Sequence, residues 1–403
     1  MRVTTVFNRV LALPGASVES VSFTDQGVVL GLRRRRRLLV CPCGRKQRGR
    51  YDTSRRRWRH LDFGACQVWL EADIHRIDCR GCGRVRTEEL PWARPGARHS
   101  RDFEDVIAWP AQRMDKTSVS RLMRCSWEAV DRIVGRVVVE HVDDARLEDV
   151  YRIGVDEISY KRGHKYLTVV ADHDTRKVIW VQEGRDKEAF EKFFDTLGDE
   201  RSEQVEAITM DGSGIYRPVA EGRAPQAEIC MDPFHVIKWV NEAVDRARTA
   251  QAAEALIPSA QWRSTRAALR KGAENLTDKQ RDIINQLRRT RYRLWRAWEL
   301  KEEFRDVYRV IDPDEARTYL KSWCTRALRS RIPSMRNLVQ RIRNHFDAII
   351  AAIELGLSNS LLEGINSKIR VIQRRGYGHS PESLSTMIYL CLSGITITLP
   401  TER

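Results

Sequence analysis

Three apolar runs between residues 152 and 182, "RIGVDEISY", "KYLTVVAD" and "KVIWVQ", constrain the fold more than any other feature of this chain. Each is rich in β-branched and aromatic residues, and the spacers are so short that only hairpins can join the runs. A helical segment follows, "DKEAFEKFFDTLG", with Ala189, Phe190, Phe193, Phe194 and Leu197 on one side. Then come a strand "VEAITMD", a short helix around "GIYRPVAEG" and a strand "AEICMD". Three strands, helix, strand, helix, strand is the order of a ribonuclease-H-like α/β core. Its first strand carries two adjacent acids, Asp156 and Glu157, which alternation sends to opposite faces. Glu157 therefore reads as structural, and Asp156 needs another explanation.

In this strand order Asp156 lies on the first strand and Asp211 ends the fourth, so the two should be close. A third acid is expected from a helix after the last strand. In "SNSLLEGINSKIRVIQRR", at 100° per residue, Leu362, Ile365, Ile369 and Ile372 form one stripe that packs on the sheet. Asn359, Glu363, Asn366, Ser367, Arg370 and Arg374 fall on the opposite or flanking face. Glu363 is thus presented among amides and arginines, although an ordinary surface glutamate would share the pattern. Three converging carboxylates cannot all stay ionised without cations, and hard oxygen ligands select Mg²⁺ or Mn²⁺. Two such ions, roughly 3.5–4 Å apart, would suit in-line phosphoryl transfer without a covalent protein intermediate.

The rest of the chain points to a polyanionic partner. Its net charge is +16 over 403 residues, and residues 31–60 hold thirteen Arg or Lys against one acid, Asp52. Such a balance implies phosphate contact, with nucleic acid ahead of a membrane surface. No run of about 18 apolar residues could span a bilayer, and the N-terminal apolar stretch is too short for a signal peptide. A cytoplasmic protein, nucleoid-associated when bound to DNA, is expected. Within the basic segment "CPCGRKQ" (Cys41, Cys43) and "CRGCGR" (Cys79, Cys82) resemble a zinc ribbon. The first pair is one residue short of the usual spacing, so His60, Cys66 or His75 could replace a thiol, or the thiols could be buried without metal. Residues 1–40 alternate weakly and read as short strands.

From residue 101 the period becomes helical. A helix from Thr117 to Arg124, a turn at Cys125 and a helix capped by Ser126 form a helix-turn-helix pattern, whose second helix would enter a major groove. Residues 238–345 are helical almost throughout and read as an insertion; Trp295 and Trp298 in it could stack on an unpaired base but at helical spacing favour a core. The expected division is 1–92 (N-terminal strands and zinc segment), 93–145 (helix-turn-helix), 150–237 (core, first part), 238–345 (helical insertion) and 346–403 (core, C-terminal helices). Expected DNA contacts are Arg33, Arg34, Arg35, Arg36 and Arg37, then Arg55, Arg56 and Arg57, then Lys116, Arg121 and Arg124, and finally Lys368, Arg370, Arg374 and Arg375.

These motifs, with "GVDEISYKRGHKYLTVVADHD", "MDGSGIYRPVA", "AEICMDPFHVIKWVNEAVDRAR" and "SNSLLEGINSKIRVIQRRGYGH", resemble the ISL-three family of bacterial insertion-sequence transposases from about residue 38 onward. The resemblance implies a DDE transposase with an N-terminal zinc segment, a helix-turn-helix for terminal inverted repeats and a catalytic triad of Asp156, Asp211 and Glu363. It also presents Asp232 and His235, in "MDPFH", as auxiliary active-site residues. Asp232 rivals Asp211 because both end strands; Asp211 is preferred for its position beside the first strand, and His235 for orienting DNA or an acid. The cofactors implied are two Mg²⁺ (or Mn²⁺) ions per site and structural Zn²⁺. The partners implied are double-stranded DNA, at transposon ends and target, and further copies of the chain in a dimer or larger assembly. The alternatives are a catalytically inactive, transposase-derived DNA-binding regulator, disfavoured because no triad residue is missing, and a stand-alone ribonuclease-H-type nuclease, which has no use for the accessory segments.

Overall fold

The computed structural model describes residues 2–212, 214–255, 259–289, 293–376 and 380–402. Positions 213, 256–258, 290–292 and 377–379, which the motif and helix expectations include, lie outside the described residues. The chain divides into two compact units, Met1–Asp143 with Val371–Arg403, and Asp144–Arg370. No described helix is long and apolar enough to cross a membrane.

The first unit opens with a helix, α1 (Val3–Leu11), where strands were expected. Val3, Phe7 and Val10 recur at helical spacing, and Phe7 is the one buried. Strands β1 (Ala16–Thr24), β2 (Gly27–Arg34), β5 (Asp52–Phe63) and β6 (Cys66–Cys79) form a sheet in the order β1-β2-β6-β5, with β7 (Arg84–Thr87) also on β6. Two short strands, β3 (Leu39–Val40) and β4 (Lys46–Gln47), pair separately. Alternation makes one face of β6 apolar: Val68, Leu70, Ala72 and Ile74 are buried with Val28, Leu30, Trp58 and Trp92.

Three helices follow, each with a side-chain N-cap: α2 (Arg101–Ala111) on Ser100, α3 (Lys116–Leu122) on Asp115 and α4 (Trp127–His141) on Ser126. The turn between α3 and α4 includes Arg124 at φ 51°, a left-handed conformation that costs a non-glycine residue. Its guanidinium holds the turn by donating to Asp62 Oδ2 (3.0 Å) and the Ala65 carbonyl (2.9 Å). The buried Arg94 joins α2 to α4, donating to Asp105 (2.6 Å) and Glu140 (2.6 Å). Such a desolvated charge network tolerates no missing partner.

Residues 371–403, expected with the catalytic sheet, belong instead to this first unit. The cause is visible in α16 (Pro381–Leu392), which packs on α4. Ser383 Oγ donates to Asp131 (2.8 Å), and Gln112 Nε2 donates to the Leu390 and Ile395 carbonyls (3.0 and 3.1 Å).

The second unit is built on strands β8 (Arg152–Lys161), β9 (Lys165–Asp172), β10 (Val178–Glu183), β11 (Ala207–Met210) and β12 (Glu228–Met231). Their order is β10-β9-β8-β11-β12; the first three are antiparallel, and β11 runs parallel to both β8 and β12. Helices α5 (Lys187–Leu197), α6 (Asp199–Ser202) and α7 (Arg217–Arg223) follow the expected positions, with α6 an addition. Phe190, Phe193, Phe194 and Leu197 of α5 pack with Val155, Val170 and Ile208 of the sheet.

After β12 the chain runs through α8 (Pro233–Ala255), α9 (Ser259–Arg270), α10 (Asp278–Arg289), α11 (Arg293–Arg305), α12 (Pro313–Arg329) and α13 (Pro333–Asn344). They share one core that includes Trp239, Phe304, Trp323 and Met335. Trp298 belongs to it and Trp295 packs against it, so these tryptophans are structural. Helix α14 (Phe346–Glu354) then returns to the sheet, with Ala351 and Ala352 against Ala207 and Cys230. Finally α15 (Ser360–Gly376) begins beside β8 and β11.

Candidate active site and metal centre

The middle of one strand, the end of its neighbour and one helix carry the sequence-predicted acids Asp156, Asp211 and Glu363 in the second unit. Asp156 is the fifth of the ten residues of β8. Its Oδ1 accepts from the Glu157 backbone N–H and its Oδ2 from Asn366 Nδ2 on α15, both at 2.8 Å. Burial pushes its carboxyl up to about 7, helped by the charges of Glu157 and Asp211. Asp211 follows the last residue of β11, the neighbour of β8, and its charge is felt at Asp156, Glu157 and His235. Gly212 next to it permits a close approach: a Cβ there would lie 2.1 Å from the Trp239 ring.

Asp232 is buried, and its oxygens are engaged. Oδ1 accepts from the Asn359 N–H (3.1 Å), while Oδ2 accepts from the His235 N–H (3.3 Å) and lies 2.9 Å from His235 Nδ1. That contact raises the imidazole pKa, with smaller contributions from Asp211 and Asp156. Asp232 thus ties the start of α15 to the start of α8.

Glu363 is exposed on α15, between two residues that fasten the helix to the sheet. One turn before it the buried Asn359 accepts from Thr209 Oγ1 (2.6 Å); three residues after it Asn366 reaches Asp156. Both asparagines were expected on the face opposite or flanking the apolar stripe. A helix that lies along the strand ends meets polar groups as well as the apolar stripe, and the amides meet them. Close docking also needs Gly154, where a Cβ would fall 2.4 Å from Leu362 Cδ2 and 2.8 Å from Thr209 Oγ1. Gly154→Ala is expected to lose about 1–3 kcal/mol of stability through overpacking, checked by denaturant unfolding.

Two further residues escaped the sequence reading. Arg341 of α13 lies over the Trp239 ring, 3.7 Å from its centroid, and within electrostatic reach of Asp211. Nothing in "RIRNH" marks it, because only the helical packing brings it there. Glu157, read as structural, does oppose Thr168 on the regular β8–β9 ladder, yet burial and Asp211 both raise its pKa.

The first unit gathers the four cysteines. Cys41, Cys43, Cys79 and Cys82 hold their sulfurs within 4.8 Å of one another, with Cys41–Cys82 at 3.9 Å and Cys43–Cys79 at 3.5 Å. A tetrahedron of thiolates at the usual 2.3 Å from zinc has edges of about 3.8 Å, so the donor set fits that ion. Each knuckle closes on a left-handed glycine: Gly44 (φ 83°) donates to the Cys41 carbonyl and Gly83 (φ 64°) to the Cys79 carbonyl, both at 2.8 Å. The left-handed Gly44 is what lets the short pair turn. Backbone N–H groups of Cys82 and Gly81 bring the Cys79 thiol down, while burial and the neighbouring thiols push Cys41 up, as expected of four sulfurs crowded together. The possible substitutes are elsewhere: His60 bonds Ser100, His75 bonds Thr53, and Cys66 pairs with Phe63 at the far end of β6. Among the described residues these cysteines form the one group of three or more such donors this close. Asp156, Asp211 and Glu363 stand further apart.

The expected DNA contacts divide. Arg33, Arg35, Arg36, Arg37, Arg121, Lys368, Arg370 and Arg374 are exposed. Arg34 is closed on the buried Glu88, and Lys116 is itself buried against Asp131 and Ser383, so neither is available to phosphate. Arg55 and Arg57 grip Glu71 across the β5–β6 ladder, and Arg56 lies 6.0 Å from the Trp58 ring centroid. Arg124 holds its own turn, and Arg375 donates to the Gln112 carbonyl (3.4 Å).

A helix-turn-helix in one unit and an α/β sheet with acids at its strand ends in the other are the parts of a DNA-processing protein. Residues 153–388 match a family model described as "Transposase", and residues 88–138 match one described as "Helix-turn-helix domain of transposase family ISL3". The chain belongs to the ISL3 family of transposases. It is 39% identical over 388 residues to the transposase for insertion sequence element IS1557 of Mycobacterium tuberculosis, covering 89% of this chain and 86% of that one. It is 29% identical over 381 residues to the transposase for insertion sequence element IS1001 of Bordetella parapertussis, covering 91% and 92%.

Proposed function

We propose that this transposase binds the terminal inverted repeats of its own insertion sequence, cuts the strands there and joins them to target DNA through Asp156, Asp211 and Glu363. One observation carries this reading: Asn366 of α15 bonds Asp156, and Glu363 lies one turn earlier on the same helix. The sheet order β10-β9-β8-β11-β12 supports a ribonuclease-H-like core, in which the end of β11 lies beside the middle of β8, where Asp156 stands. The three acids would hold two Mg²⁺ or Mn²⁺ ions, which when bound supply charge neutralisation and activation of the attacking oxygen at a phosphate.

The side chains have separable tasks. Asn366 fixes the Asp156 carboxylate, and Asp211 is preferred to Asp232 as the second ligand because it follows β11, the strand paired with β8, and its charge reaches Asp156. His235 and Arg341 supply positive charge where phosphate oxygens would pass. The four cysteines would hold zinc and stiffen the base of the first unit. The exposed cations of Arg33–Arg37 and Arg121 would meet DNA backbone, and α4 a major groove. Acting on two ends at once calls for a dimer or larger assembly on DNA.

The test is a labelled transposon end incubated with the full chain and Mg²⁺. Cleavage at the element boundary is expected, with Glu363→Gln retaining end binding and losing cleavage. Undiminished cleavage by that variant would sink the triad; binding without cleavage by the unaltered chain would favour a regulator.

A further inference from the structure

We propose that the cleft between α8 and α9 is a binding site for an unpaired nucleotide of the DNA strand that leaves the active site, an assignment that rests on the strand-cleaving reading above. The cleft measures about 230 Å³ and lies along one stripe of α8, from Phe234 through Lys238 and Asn241 to Asp245, faced by Arg266 and Arg270 of α9. It begins at the active site, because Phe234 is next to His235 in the chain and the two rings meet edge to face with centroids 5.7 Å apart.

Three features define the ligand. Phe234 is 59% exposed, an unusual position for a phenylalanine, and offers a flat apolar face for stacking. Asn241 donates Nδ2 to the Ile237 carbonyl (3.0 Å), which leaves Oδ1 buried and without a hydrogen-bond partner among the described residues. A buried amide oxygen of this kind calls for an N–H donor, which a base edge carries. The cations complete the set. Lys238 and Arg270 pair with no carboxylate among the described residues, while Asp245 is taken by Arg248 (2.7 Å) and approached by Arg266 (3.4 Å). Glu242 also lines the cleft, so three cations face two acids; a stacking ring, an acceptor and this excess of positive charge match base, base edge and phosphate in turn. The volume admits a single nucleotide but no duplex.

The test uses fluorescence anisotropy with the full chain carrying Asp156→Asn, so that the probe is not consumed. One labelled probe is a blunt terminal repeat; the other carries a short single-stranded extension at the element boundary. The extended probe should bind about tenfold more tightly, the scale of one stacked base. Phe234→Ala and, separately, Arg270→Glu should bring the ratio close to one while blunt-end binding remains; both positions are exposed, so folding should survive. Equal binding of the two probes by the intact cleft, or a ratio that neither substitution changes, overturns the assignment. Failure of the strand-cleaving reading looks different: the unaltered chain leaves ends uncut in Mg²⁺ while its preference for the extended probe persists.

Discussion

Asp156→Asn is expected to stabilise the metal-free protein at pH 8 while abolishing strand cleavage. The Asp156 carboxyl titrates near pH 7 in the folded chain, against an ordinary value of 3.8, because it is buried beside Glu157 and Asp211. Below about pH 4 both folded and unfolded chains carry the proton, and Asp156 costs nothing. Between pH 4 and 7 the folded chain binds a proton that the unfolded chain has released, so stability falls as pH rises, and above 7 the full cost is present. That cost is on the order of 2–4 kcal/mol. Asparagine removes the charge and keeps the shape. Its Oδ1 can still accept from the Glu157 N–H, and Asn366, whose Oδ1 is buried without a hydrogen-bond partner among the described residues, can turn to accept from the new amide. Thermal unfolding without added Mg²⁺ or Mn²⁺ between pH 5 and 9 should therefore show the variant's advantage growing with pH. Mg²⁺ should stabilise the unaltered chain more at pH 8 than at pH 6, and should do little for the variant. Cleavage should drop by about 10³-fold or more, the effect of losing several kcal/mol of metal-based stabilisation. A variant less stable than the unaltered chain at pH 8 without added Mg²⁺ or Mn²⁺ would contradict the electrostatic account.

The second large effect concerns the cysteine cluster. Zinc-binding peptides draw on the order of 10 kcal/mol from the metal, as much as a whole domain's net stability. The apolar support around the knuckles is slight, with Leu39 and Ile77 as the buried aliphatic residues beside Cys41 and Cys79. Cys79→Ser, or a strong chelator, should accordingly remove one zinc per chain and unfold the knuckles with β3, β4 and β7. Elemental analysis would report the zinc, and limited proteolysis near residues 38–50 and 80–90 would report the unfolding. Protein purified without zinc that resists proteolysis at both knuckles would exclude a structural metal there.

What could be read from the sequence and what could not differ in range. The hairpins of β8–β10 and the glycine-closed cysteine turns are local, decided by residues a few positions apart, and were legible. So was the N-cap of α4, where the Ser126 side chain meets a backbone N–H three residues on. The helix at Val3–Leu11 was missed because the alternation of the following strands was extended backwards over a segment whose spacing is helical. Lys116 looked like a DNA contact because its partner Ser383 is 267 residues away. The contacts of Asn359 and Asn366 with the sheet were not legible, because a helical wheel separates apolar from polar but does not know that the strands beside α15 present a hydroxyl, a carbonyl and an acid. The same blindness hid Arg341 and the cleft at Phe234, which exist only because the helices after β12 pack as they do.

Metal exchange at a substituted ligand tests the central claim most directly. Asp156→Cys, Asp211→Cys and Glu363→Cys each place a soft thiolate where a hard carboxylate should hold the ion, so each should be inactive on transposon ends in Mg²⁺ and recover cleavage in Mn²⁺. Asp232→Cys, a change at a residue committed to hydrogen bonds, should show no such metal switch. Rescue at Asp156, Asp211 and Glu363 alone is the result expected of these three acids as the metal ligands of a strand-cleaving site. Cleavage in Mg²⁺ by any of those three variants, or rescue at Asp232 in place of Asp211, would contradict it.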